Sequence, residues 1–155
     1  MGGIRFGWVA IVAAALVGGM ATAGAQTSAT KQIEQRKEMM KASGAAMKTL
    51  TPMVRGDAPW NQKSAGDAAR TLVNAAPKIP AAFPAGTGPE AGKTDALPAI
   101  WQNKADFDAK AKALQVEAEK LLQVVQANDE AGFKAQFPKV GRTCAGCHEP
   151  YRMKK

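Results

Sequence analysis

The sequence predicts an all-α fold, an antiparallel up-down-up-down four-helix bundle. Three observations lead there. Four stretches of the 155-residue chain repeat apolar residues at helical spacing. Turn-forming Gly, Pro, Asn and Asp gather between those stretches. None of them shows the two-residue alternation of a half-buried strand. Four amphipathic helices with three connections bury their apolar faces most simply as a bundle.

The segment ahead of the first helix is of another kind. Arg5 supplies a positive start, Trp8 to Val17 is an apolar run, and Ala23-Gly24-Ala25 is a small-residue cleavage box. That is the layout of a secretory signal peptide over residues 1–25, leaving 26–155 as one domain. A membrane anchor would need about 20 apolar residues, and Gly18-Gly19 interrupts this run well short of that. The mature chain is therefore expected to be free of the membrane.

The first helix is expected from Thr30 to Val54. Ile33, Met40, Met47 and Val54 stand seven apart, with Met39, Leu50 and Met53 beside them, the spacing of a lengthwise packing seam. Pro52 is expected to bend or shorten its last turn, and Gly56 to stop it. A second helix over about Asn61–Ala76 uses Ala65, Ala68, Leu72 and Ala75, small enough for close helix approach. Seven Pro and Gly residues between Pro77 and Gly92 predict a loop without helix-forming capacity. Pro98-Ala99-Ile100-Trp101 is expected to be a short turn seating Trp101 on the core.

The third helix, about Lys104–Ala127, carries Phe107, Ala111, Leu114, Ala118, Leu121, Leu122 and Val125 on one side. Asn128-Asp129 ends it and caps the fourth helix. Phe133, Phe137, Val140, Cys144, Cys147, His148 and Tyr151 trace the buried side of that last helix. Pro138 lies inside it and is expected to kink or split it.

The formal charge of +8 raises nucleic acid as a partner. Lys and Arg are scattered among Asp and Glu without a basic block, so the pattern is that of a solvated helical surface instead. Lys139, Arg142, Lys154 and Lys155 fall near the end of the last helix, where an acidic partner could dock.

The chemistry is concentrated in Cys144-Ala145-Gly146-Cys147-His148, the attachment signature of a c-type haem. Two thiols three residues apart lie on one helical turn, where each can add to a porphyrin vinyl group. The next residue then presents its imidazole to the iron. A zinc site needs about four ligands, and the chain offers two Cys and one His. A dithiol redox motif wants a strand-to-helix context, which is absent. With a single His, bis-His ligation is excluded. Met153 shares a helix with His148 and cannot cross the porphyrin. The sixth iron position is therefore open or filled from the first three helices. The first helix offers Met39, Met40 and Met47, but a Met stripe at helical spacing is more often core filling. Peroxidase-like chemistry finds no distal His or acid–base pair, so no enzyme activity is expected.

With Gly141 to Arg152 around the signature, the Ile100-Trp101 turn and Thr51-Pro52-Met53-Val54-Arg55-Gly56, nearly the whole mature chain resembles the class II cytochromes c. That family joins cytochrome c′ to its low-spin relatives of the c-556 type. The resemblance implies one haem c, covalently held by Cys144 and Cys147, with His148 as proximal axial ligand. Met40-Lys41-x-x-Gly44-x-x-Met47 resembles the c-556 branch and implies Met40 as distal axial ligand, with Met39 the spare candidate. It also implies Arg36 at a haem propionate, Arg152 on the proximal side, and Phe83, Phe137 and Tyr151 against the haem. The implied function is a periplasmic electron carrier with periplasmic redox proteins as partners. The other branch implies a five-coordinate cytochrome c′ that binds NO or CO. A homodimer through the first two helices is compatible with either.

Overall fold

The computed structural model describes residues 20–154, and side chains from Thr27 onward. Most of the leader segment, residues 1–19, lies outside the described residues. Five α-helices follow: α1 (Met20–Arg55), α2 (Gln62–Ala75), a single turn α3 (Ala99–Gln102), α4 (Lys104–Gln126) and α5 (Glu130–Tyr151). The four long ones form the bundle, with α2 against α1 and α4, and α5 against α4. The described residues contain no strand, and no helix long and apolar enough to cross a membrane.

α1 begins ten residues before the expected start at Thr30. Its added turns, Met20 to Ala29, are rich in Ala, the best helix former. The Ala23-Gly24-Ala25 box therefore lies within helix in the uncut chain. Ile33, Leu50 and Met53 are buried, whereas Met40, Met47 and Val54 are only half-buried at the edge of the contact. A straight helix drifts by about 20° per heptad, so a strict seven-residue row rotates off the core. Pro52 does not end the helix early. Its carbonyl accepts from Asp57 N–H (2.9 Å) and Ala58 N–H (3.2 Å), while Gly56 takes φ +82°. This is the glycine-terminated C-cap that needs a left-handed residue.

Asn61 caps α2 by accepting from Ser64 N–H at 2.9 Å. The buried side of α2 is Ala65, Gly66, Ala68, Ala69, Leu72 and Ala75, which lets its neighbours approach closely. The expected structureless loop holds two 3₁₀ turns, Ala76–Lys78 and Pro80–Ala82. Proline at the start of each turn has a preset φ and lacks only an N–H that would be unpaired anyway. These turns bury Ile79 and Phe83.

In α3 it is Ile100 that enters the core. Trp101 stays half-buried because its Nε1–H donates to the Pro84 carbonyl (2.9 Å), tying the ring to the linker.

α4 ends at Gln126, Asn128 makes the reversal with a φ of +54°, and Asp129 caps α5 through Gly132 N–H (2.8 Å). Trp60 Nε1–H donates to Asn128 Oδ1 (2.8 Å) and fastens this end to the start of α2. α5 runs unbroken through Pro138. Pro138 is exposed, which lets the ring project away from the core without splitting the helix.

The interior divides into two clusters. One gathers Leu50, Leu72, Leu121, Val125, Phe133 and Val140; the other gathers Ile79, Phe83, Ile100, Phe107, Ala111 and Tyr151. Half-buried Leu114 packs against both. The signature cysteines lie where the two clusters meet.

Candidate functional site

Cys144 and Cys147 lie one turn apart near the end of α5, both half-buried and free. Cys144 packs on the Phe133 cluster and Cys147 on the Phe107 cluster. Burial pushes both thiols above their usual range, and the Lys110 charge partly offsets this at Cys147. His148 follows with an exposed side chain. Its imidazole pKa is nonetheless lowered, first by the protein surface around it and then by the Arg152 charge. Both effects favour the neutral ring, the form that binds a metal. A Cβ built on Gly146 meets no atom within 4 Å, so the backbone between the two thiols can be approached closely.

The turn that follows is tied on two sides. Tyr151 O–H donates to Asp106 Oδ2 at 2.6 Å, and its ring meets Phe107 edge-on at 5.4 Å. On the other side, Leu97 N–H donates to the Tyr151 carbonyl (3.0 Å) and Met153 N–H to the Asp95 carbonyl (2.8 Å). Arg152, expected on the proximal side, places Nη2 3.8 Å from Asp95 and donates its backbone N–H to the His148 carbonyl (3.0 Å).

The hydrogen bond to Asp106 and burial push the Tyr151 phenol up to about 12. A phenol whose folded pKa is raised stabilises the fold fully below its ordinary value of about 10 and loses that contribution as pH rises to about 12. Tyr151 is the only tyrosine, so an ultraviolet titration reads it alone. The wild type should ionise near pH 12, and Asp106→Asn should move the midpoint toward about 10.

Across the bundle, Met39 and Met40 are half-buried and pack against the same cluster as Cys147. Met47 packs against the other cluster, with Cys144. Phe83 belongs to the Cys147 cluster, 4.9 Å from Phe107, and Phe137 to the Cys144 cluster, 6.2 Å from Phe133. Gly44, one turn past Met40, is exposed, and a Cβ there meets no atom within 4 Å.

Arg36, one turn before Met40, is 3 % exposed. Its guanidinium donates to Thr87 Oγ1 (2.9 Å), the Thr87 carbonyl (2.7 Å) and Thr94 Oγ1 (2.9 Å). It also lies 4.6 Å over the Phe83 ring. Burial lowers its pKa, and Glu90 opposes that. Arg36 thus fastens α1 to the 83–94 linker, a role that sequence reading missed. Thr87, itself buried, carried no local signal, since its partner is 51 residues away.

A family model described as "Cytochrome C'" matches residues 31–152. The chain belongs to the cytochrome c′ family. Cytochrome c-556 of Agrobacterium tumefaciens (strain B2A) is 39% identical over 127 residues, covering 80% of this chain and 98% of that one. Cytochrome c′ of Rhodopseudomonas palustris is 35% identical over 150 residues, covering 95% and 97%. A solved nitric oxide complex of a mutant cytochrome c prime from Alcaligenes xylosoxidans superposes with a TM-score of 0.74 at 30% identity, covering 82% of this chain and 97% of that one.

Cytochrome c′ family proteins carry haem c, and this is a haem c protein. Its donors fit that group. Two free thiols stand one turn apart, an imidazole disposed to be neutral comes next, and the backbone at Gly146 is open to close approach.

Proposed function

We propose that the mature chain is a periplasmic electron carrier and not an enzyme. In this reading Cys144 and Cys147 hold haem c through thioether bonds, His148 is the proximal ligand and Met40 the distal one. Haem c, when bound, supplies a one-electron couple between ferric and ferrous iron. What supports the reading is the shared surroundings of Met40 and Cys147, which place α1 and the signature turn of α5 against one apolar cluster. Met40 and His148 would hold the iron; a thioether with an imidazole suits both oxidation states, and Met favours the ferrous one. Apolar Phe83, Ile100 and Phe107 keep water from that side. Residues 1–25 act as the cleaved export signal.

A second reading, five-coordinate iron that binds NO or CO with Met40 only shielding it, draws support from the nitric oxide complex of the Alcaligenes relative. Absorption spectra of the purified ferric and ferrous holoprotein separate the two. The carrier reading expects low-spin spectra in both states and slow CO uptake. High-spin spectra with rapid CO uptake would replace it with the second reading.

A further inference from the structure

We propose that an acidic redox protein docks in the groove between α4 and α5, beside the cysteine-bearing turn. This inference rests on the electron-carrier reading above. The groove has a volume of about 550 Å³ and is lined by Ala113, Val116 and Glu117 of α4 and by Lys139, Arg142 and Thr143 of α5. Its lining includes Val116, which with Met153 makes up the exposed large hydrophobic residues among the described ones. Its rim is cationic. The carboxylate of Glu117 is already engaged by Lys120 (2.8 Å) and by the buried Gln136 (2.6 Å). Lys139 and Arg142 form no ion pair within 4 Å among the described residues, unlike Lys134, which is held by Glu130; the Lys139 charge acts on Glu117 only from beyond that distance.

Position gives the groove its meaning. Lys139, Arg142 and Thr143 share the α5 face that continues, four residues beyond Arg142, to Gly146 between the two thiols. A Cβ at Gly146 meets nothing within 4 Å, so a partner seated on the groove reaches the attachment turn without displacing a side chain. A small apolar contact bordered by two cations, with the one carboxylate already engaged, is what a transient partner needs. The charges steer and orient it, while the small apolar contact lets it leave. The complementary surface is an apolar side chain ringed by carboxylates.

Laser flash reduction of the ferric holoprotein tests this with two flavin semiquinones as probes, anionic flavin mononucleotide and neutral lumiflavin. At low ionic strength, Lys139→Glu/Arg142→Glu should slow reduction by the anionic flavin at least about threefold and leave lumiflavin unaffected. Lys48→Glu/Lys78→Glu changes the net charge equally, away from the groove, and should slow it less. Equal slowing in both variants, or none in either, would overturn the proposal. An unchanged lumiflavin rate also shows that the groove variant is folded. If neither flavin reduces the wild type, the carrier reading itself fails and takes the docking site with it. Two further results would assign the groove elsewhere and overturn the proposal: a dimer in sedimentation that Val116→Asp dissociates, or binding to phosphatidylglycerol vesicles that the groove variant abolishes.

Discussion

Replacing Cys144 and Cys147 together by alanine is expected to abolish covalent haem retention. Denaturing gels stained for haem should show a band for the wild type and none for the double variant, and acid–acetone extraction should strip the cofactor completely. On the proposed reading, the remaining attachments would be coordination by His148 and Met40 and contact with the bundle. His148 is exposed and Met40 half-buried, so neither survives denaturation. Each single variant should keep a stained band through its remaining thioether. The two should differ in fold stability, because Cys144 and Cys147 pack on different clusters. A double variant that still stains would place the attachment elsewhere.

Arg36→Ala is expected to destabilise the holoprotein by about 3 kcal/mol, read from the urea midpoint. The loss has two parts. Three hydrogen bonds and the stacking on Phe83 disappear. The buried Thr87 carbonyl also loses the guanidinium N–H donated to it, and an unsatisfied buried acceptor costs more than a typical bond gains. Arg36→Met should cost less, since it keeps the apolar stem and removes the desolvated charge, but it should not be neutral. Arg36→Lys cannot reproduce three donations from one planar fork and should fall between them. A loss below about 0.5 kcal/mol for Arg36→Ala would show that the linker is held without it.

Much of this fold was legible because its determinants are local. Asn61, Gly56 and Asp129 act within four residues of their own positions, so helix ends could be located from composition and caps. The haem signature is legible for the same reason: five consecutive residues carry it. What escaped is long-range. Thr87 and Thr94 meet Arg36 across 51 and 58 residues, and Asp106 meets Tyr151 across 45, with nothing in their immediate neighbours to mark them. The Ile100–Trp101 turn was found, but which residue enters the core depended on the Pro84 carbonyl, 17 residues away. The seven-residue row of α1 overstated the burial of Met40, Met47 and Val54, because helical drift accumulates where packing does not enforce a supercoil. Pro138 sits on the outside of α5, a placement that its sequence neighbours do not reveal.

Met39 and Met40 share the Cys147 cluster, so packing alone does not choose between them. The most direct measurement is the ferric absorption spectrum of the holoprotein in three forms: wild type, Met39→Ala and Met40→Ala. Wild type and Met39→Ala should both be low-spin with a sulfur-to-iron charge-transfer band, while Met40→Ala should lose that band, turn high-spin and take up CO rapidly once reduced. A low-spin Met40→Ala spectrum with the band intact, or a wild type that is already high-spin, would contradict axial ligation by Met40.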